Sequence, residues 1–171
     1  MVDIARKNIV WKFTNQRELT KSQFLDYFEK KIFRTIRQYN MLRDKSGRRI
    51  KLQKENSLNF IVLKNVLEKK FSVSVVASGS DVVSDNLSDV AESAFENVLD
   101  GNFDLLRLKP KNQPLYFLSD AEVSLYAKLS GLSGTVKNKK RNDHVQKLFA
   151  TFMKKNPDLE HNVVNAMRQL E

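Results

Sequence analysis

The chain has 171 residues, of which 41% are hydrophobic, and this is enough for one domain with a buried core. It contains no cysteine and two histidines, which excludes disulfides, thiolate zinc sites, iron–sulfur clusters and cysteine catalysis and argues against a histidine metal site. The net charge of +10 favours a polyanionic partner such as RNA or DNA over a basic surface that only aids solubility. We expect neither a metal nor another cofactor.

The distribution of apolar and charged residues narrows the class of protein further. No apolar run approaches the roughly 20 residues that a membrane span needs, and residues 1–13 lack the apolar core of a signal peptide. We therefore expect a cytoplasmic protein with no membrane partner. Residues 30–54 and 135–147 are strongly basic, whereas residues 71–106 contain no lysine or arginine, so we expect a molecule with two electrically different sides.

The first long helix is predicted to begin after Thr20, which with Gln23 forms a capping-box pattern. Before it, residues 8–13 resemble a strand in which Trp11 anchors the arm to the core, with base stacking as the alternative. The apolar face of this helix falls at helical spacing and comprises Leu25, Phe28, Ile32, Ile36 and Tyr39. A basic ridge away from that face comprises Lys31, Arg34 and Arg37.

The rest of the chain reads as short strands between helices. Strands are predicted for residues 49–52 and 71–77, which makes two or three strands in all. A buried helix is predicted over residues 58–68, and an amphipathic one over about 87–99, ended by Gly101. Three further helices are predicted: one capped by Ser119 and Glu122, one around residues 145–153, and one starting at Asn156–Pro157. His144 and His161 are interpreted as ordinary surface or capping residues.

Four segments, in this order, resemble the PP-loop ATP pyrophosphatases that 2-thiolate tRNA, in the group with an N-terminal zinc-finger-like arm. They are "FLDYFEKKIFRTIRQYNML" (24–42), "SDNLSDVAESAFENVLDGNFDLLRL" (84–108), "QPLYFLSDAEVSLYAKLSGL" (113–132) and the ending "VQKLFATFMKKNPDLEHNVV". The second matches the family's pattern at Asn86, Asp89, Ala91, Asn97, Leu99 and Gly101, and the third at Pro114, Leu115, Glu122, Val123, Leu125, Tyr126 and Leu132.

The resemblance implies an α/β fold: a reduced PP-loop ATPase (HUP-like) fold, rich in helices, with a small, mostly parallel sheet. It divides the chain into an N-terminal arm left from a zinc module (1–20), a truncated PP-loop-ATPase-like core (21–132) and a C-terminal helical region (133–171).

The same resemblance places a degenerate nucleotide site in this chain. The positions concerned are Gln53, Lys54, Glu55, Asn56 and Ser57 in the loop, and Asp85 and Asp89 beyond it. The family's loop is rich in glycine, which lets backbone N–H groups wrap a phosphate, but this loop has no glycine, and Glu55 adds a negative charge. The absence of cysteines and of the loop glycines favours a protein without catalytic activity.

The leading functional hypothesis is a non-catalytic paralogue of the tRNA-thiolating enzymes, which binds tRNA or another structured RNA, a catalytic paralogue, or both. The proposed RNA-binding residues are Lys30, Lys31, Arg34, Arg37, Arg43, Arg48, Arg49, Lys137, Lys139, Lys140 and Arg141. Two alternatives stay open. One is a protein–protein module, such as a homodimer, without RNA binding. The other is an ATP-binding enzyme in which Asn56, Ser57, Asp85 and Asp89 hold Mg²⁺ and ATP in an altered geometry.

Overall fold

The computed structural model describes residues 8–42, 49–103, 110–136 and 143–169. These residues form four strands, β1 (Ile9–Lys12), β2 (Glu18–Thr20), β3 (Arg49–Gln53) and β4 (Ser72–Val76), and six helices, α1 (Lys21–Gln38), α2 (Leu58–Glu68), α3 (Leu87–Leu99), α4 (Asp120–Leu129), α5 (Asp143–Lys155) and α6 (Leu159–Arg168). No helix in these ranges is long and apolar enough to cross a membrane. The fold is thus α/β and rich in helices, as the sequence predicts.

The N-terminal arm is an antiparallel hairpin of β1 and β2 that leads directly into α1. A tight turn closes it, with Gln16 in the left-handed region at φ 68° and the Phe13 N–H donating to the Arg17 carbonyl at 2.8 Å. Trp11 packs against Phe24 of α1 with ring centroids 5.6 Å apart, which agrees with its predicted anchoring role. The sequence prediction missed β2, because a three-residue strand is too short to show a period.

Helix α1 begins where the capping pattern predicts, since the Thr20 N–H donates to the Gln23 side-chain oxygen at 3.0 Å. The fully buried side chains of its apolar face are Phe24, Phe28, Ile32 and Ile36, and the face also buries Thr35. Leu25 and Tyr39, which the sequence placed on this face, are half-buried at its margins. The observed apolar face is therefore centred slightly differently from the predicted one.

The parallel sheet consists of β3 and β4, joined by α2, and its register pairs Arg49 with Ser72 and Gln53 with Val76. An isolated parallel bridge joins Leu52 to Val82 on the other side of β3. Ile50 and Leu52 are buried in the hydrophobic core, whereas Val75 on β4 is 41% exposed. Within the described ranges the parallel sheet is therefore small, as expected for a reduced PP-loop-like core.

The starts of α3 and α4 are fixed by reciprocal capping boxes, Asn86 with Asp89 and Ser119 with Glu122. The box at Ser119 is the one that the sequence predicts. Helix α6 begins later than predicted, because its N-cap is Asp158 rather than Asn156. The Leu159 N–H donates to the Asn156 carbonyl at 3.0 Å, so Asn156 and Pro157 lie in a turn before the helix.

Two hydrophobic clusters hold these elements together. The larger one joins α1, α2, α4 and β3, and Tyr126 stacks on Phe28 at its centre with ring centroids 4.3 Å apart. The smaller one joins α3, α5 and α6 around Tyr116. Burial of each large aromatic side chain contributes roughly 1.5–3 kcal/mol to folding, so these two clusters position the loops and helix ends described next.

Candidate functional site

The loop after β3 holds the Glu55 carboxylate at the N-terminus of α2. Ser57 Oγ donates to Glu55 Oε2 at 3.0 Å and accepts a hydrogen bond from the Phe60 N–H at 3.2 Å, so Ser57 is the N-cap of α2. The Ser84 hydroxyl, from the segment before α3, also bonds to the same carboxylate oxygen. Negative charge is favourable at a helix N-terminus, so Glu55 lies where an anionic ligand would otherwise gain from the helix dipole.

The first turn of α2 is also covered by residues 134–136 from after α4. The Leu58 N–H donates to the Thr135 carbonyl at 2.7 Å, and Thr135 Oγ1 approaches the Asn56 carbonyl at 3.4 Å. Gly134 packs so closely that a Cβ there would lie 2.6 Å from Ile61 Cδ1 and 3.3 Å from Leu58 Cα. The helix end that binds phosphate in a nucleotide loop is therefore occupied by groups of this chain.

The remaining degenerate-loop positions bond mainly through their backbone. The Gln53 N–H donates to the Val82 carbonyl at 3.0 Å, and the Lys54 N–H donates to the Val76 carbonyl at 2.8 Å. Gln53 Nε2 also donates to the Ala77 carbonyl at 2.6 Å. These bonds extend the β3–β4 pairing into the loop and fix its path.

The segment at the start of α3 lies beside the first turn of α2. Asn59 on α2 donates to Asp89 Oδ2 at 3.2 Å, and the same oxygen accepts the Asn86 N–H at 3.0 Å. Asp85 accepts a hydrogen bond from Gln113 Nε2 at 3.3 Å. Asp89 therefore acts as a capping residue of α3.

The basic residues of α1 form a stripe along its exposed side. Lys30, Arg34 and Arg37 are spaced i, i+4, i+7 and all three are exposed, so they lie on one helical surface. Lys30 also pairs with Asp26 at 2.8 Å, an exposed pair worth little. Arg49, at the start of β3, is exposed too. The structure thus brings three of the predicted RNA-binding residues into one row.

Lys31 differs from this stripe because its ammonium group faces α4. Lys31 Nζ donates to the Tyr27 hydroxyl at 2.6 Å and lies 3.5 Å from Glu122 Oε1. The Tyr27 hydroxyl in turn donates to Glu122 Oε1 at 2.7 Å. Burial lowers the pKa of Lys31, against the opposing effect of Glu122, and burial followed by the Glu122 charge raises the pKa of Tyr27 well above its usual range. Lys31 therefore belongs to an internal polar cluster.

Six predicted RNA-binding residues fall outside the described ranges: Arg43, Arg48, Lys137, Lys139, Lys140 and Arg141. The sequence reasoning overlooked the contributions of Gly134, Thr135 and Tyr27. The sequence offers a signal for Tyr27, because it lies one helical turn before Lys31. It offers no signal that residues 134–135 contact α2, which lies more than 70 positions earlier in the chain.

With this geometry established, the chain can be compared with known proteins. It superposes on the U34-tRNA thiolase NcsA from Methanococcus maripaludis, whose structure was solved with its [4Fe-4S] cluster, at a TM-score of 0.73 and 13% sequence identity. The match covers 95% of this chain and 84% of that one. The chain has the fold of a PP-loop tRNA thiolase. No family model and no curated protein matches it by sequence.

The cofactor in that neighbour's description does not fit this sequence. Iron–sulfur clusters and structural zinc sites depend chiefly on cysteine thiolates, and these 171 residues contain none. At the start of α2 the Glu55 carboxylate is held by the hydroxyl groups of Ser57 and Ser84. The likeness supports the fold that the sequence predicts.

Proposed function

We propose that this protein is a non-catalytic relative of the tRNA-thiolating PP-loop enzymes and that it binds tRNA or another structured RNA. The observation that carries the proposal is the Glu55 carboxylate, held by the hydroxyls of Ser57 and Ser84 where a nucleotide phosphate would lie. The fold likeness to a U34-tRNA thiolase supports tRNA as the first RNA to test.

Loss of nucleotide binding follows from charge repulsion and from occupation of the helix end by the chain itself. Two like charges about 4 Å apart repel by about 4 kcal/mol at an effective dielectric constant of 20, so a triphosphate must displace or protonate Glu55. It must also replace the bond from the Leu58 N–H to Thr135. Without thiols and without a phosphate loop, neither sulfur transfer nor adenylation has its usual chemical groups here.

RNA binding rests on the exposed cations of α1. Lys30, Arg34 and Arg37 form a straight row about 10 Å long, by the rise of an α-helix. Successive phosphates of one RNA strand are within reach of such a row, and contacts of this kind give affinity with little sequence specificity. Folded RNA is recognised chiefly by its shape. The row therefore suits a structured RNA such as tRNA.

The test combines two titrations of the full chain. Thermal unfolding with and without Mg-ATP should show no shift in Tm, whereas a shift that saturates with nucleotide would contradict the loss of the site. Fluorescence anisotropy with labelled tRNA at low salt should show saturable binding. Light scattering on the same samples identifies the alternative, a homodimer module, which would give a dimer and no complex with tRNA.

A further inference from the structure

A groove lies between the N-terminal hairpin and α1, on the same side of the molecule as the basic stripe. Its volume is about 550 Å³. Its lining comprises Arg17, Glu18 and Leu19 from the hairpin and Gln23, Asp26, Tyr27, Lys30, Lys31 and Arg34 from α1. Four of these nine side chains are cationic, so the groove is a candidate site for an anion.

The two acidic side chains of the groove are both already paired. Asp26 Oδ2 lies 2.8 Å from Lys30 Nζ, and Glu18 Oε1 lies 3.6 Å from Lys12 Nζ. Within the part of the chain that the structure describes, Arg17 and Arg34 form no ion pair with a carboxylate. The groove thus contains two guanidinium groups whose charge is not neutralised by a neighbouring described residue.

Arg17 is held in position by the hairpin turn. Its N–H donates to Asn15 Oδ1 at 3.1 Å and its carbonyl accepts from the Phe13 N–H at 2.8 Å. Its guanidinium lies 5.7 Å from the centroid of the Phe13 ring, which packs edge-on against Tyr27. The backbone of Arg17 is therefore fixed by the turn, which reduces the entropy cost of binding.

The floor of the groove is formed by Tyr27 and Lys31, and the Lys31 ammonium group is already paired with the Glu122 carboxylate at 3.5 Å. Lys31 Nζ lies 5.1 Å from the centroid of the Tyr27 ring and donates to its hydroxyl. The charge of Arg17 acts on the same ring, since it lowers the pKa of Tyr27 against the larger raising effects of burial and Glu122. Arg17 is thus close enough to the groove floor to act on a ligand there.

We propose that this groove binds a phosphate group between Arg17 and Arg34 and that, resting on the proposed function, this phosphate belongs to the backbone of the bound RNA. Guanidinium groups bind phosphate oxygens through paired N–H donors, a geometry that lysine does not offer. Arg17 lies across the groove from α1, so it extends the basic stripe from one row into a cleft that grips the strand from both sides.

The experiment measures tRNA affinity by anisotropy for the full chain and for Arg17→Ala, Arg34→Ala and the double variant. Each single change should raise Kd about tenfold, the effect of losing one charge-assisted contact of about 1.4 kcal/mol. The Kd of the double variant should rise by less than the product of the two single increases, because both side chains bind the same phosphate. Lys154→Ala, which removes one exposed charge from α5, is the matched control and should change Kd less than about twofold.

Failure of the groove is distinguishable from failure of RNA binding. If tRNA binds but the arginine variants behave like Lys154→Ala, the groove assignment is overturned while the proposed function stands. If tRNA does not bind, the proposed function fails, and the groove is tested with inorganic phosphate by following the side-chain Nε–H resonances of Arg17 and Arg34 in NMR. Saturable shifts of both resonances would support a site for free phosphate, and their absence would overturn it. Circular dichroism of each variant confirms that it is folded.

Discussion

At the scale of single residues, two carboxylates are held in place by partners within the chain. The Glu55 side chain places a negative charge at the start of α2. Glu122, which is 3% exposed, uses one oxygen to cap α4 at Ser119 and the other to bind Tyr27 and Lys31. Buried charges are tolerated only when they are paired and hydrogen-bonded. Glu122 meets that condition through Lys31 and Tyr27, and the half-buried Glu55 accepts hydrogen bonds from Ser57 and Ser84.

His161 on α6 provides a test of this polar cluster by pH. Burial, followed by the charge of Lys31, lowers the pKa of His161, whereas Glu122 and Asp158 oppose the shift. Because its folded-state pKa lies below the unfolded value of 6.5, the unfolded chain binds the proton first. We expect stability to fall as the pH drops below about 6.5 and His161→Gln to reduce that fall, measured by urea unfolding between pH 5 and 8. His144→Gln is the control, and an equal effect of both changes would contradict the assignment.

At the scale of elements, the N-terminus of α2 is held by two neighbours that are remote in sequence. The segment before α3 supplies Ser84, and the segment after α4 supplies Gly134 and Thr135. Helix α2 is also tied to α1 and α4 through Tyr126, whose hydroxyl donates to Glu29 at 2.9 Å and accepts from Lys69 at 3.3 Å. The loop that would need to open around a nucleotide is therefore part of the packed structure.

Gly134→Val should destabilise the protein by about 1–3 kcal/mol, the usual cost of overpacking. The reason is that even a Cβ at this position would lie 2.6 Å from Ile61 Cδ1 and 3.3 Å from the backbone of α2. Chemical denaturation measures the change. Ser133→Val places the same side chain at the exposed neighbouring position. It is the control and should change the free energy of unfolding by less than about 0.5 kcal/mol. Equal stability of the two variants would show that residues 134–136 do not pack on α2.

At the scale of the whole molecule, the charge is divided between different parts of the fold. Basic side chains lie along α1 and the hairpin, whereas α3 carries Glu92 and Glu96, ends at Asp100 and has no basic residue. The proposed RNA contacts lie on α1 and the hairpin, so the number of phosphates bound at once is limited to those within reach of these two elements.

The salt dependence of tRNA binding measures that number. With one phosphate shared by Arg17 and Arg34 and one each at Lys30 and Arg37, log K should fall against log[salt] with a slope between about −2 and −3. Arg37→Ala should reduce the magnitude of the slope by about 1, whereas Lys154→Ala should leave it unchanged. A slope near zero for the unmodified chain would contradict electrostatic binding along α1.

The sequence by itself determined which segments are helical, where several of them begin, and that the chain has no thiols and no glycine in the loop after β3. Apolar spacing and capping boxes act over three or four residues, so the starts of α1 and α4 and the extent of α2 were predictable. The absence of thiols and of loop glycines was equally visible. Propensity rules failed at β2 and at the start of α6, where a short strand and a turn depend on their neighbours.

Only the tertiary structure decided which charged groups remain exposed. Glu55 meets Ser84 across 29 residues, and Tyr27 meets Glu122 across 95. Lys31 and Arg34 both line the groove, yet packing against α4 pairs Lys31 with Glu122 and leaves Arg34 exposed. Contacts of this range depend on how the helices pack, and no local pattern encodes that. The physical reason is that burial and hydrogen bonding, rather than charge alone, determine whether a cation is available to an anionic partner.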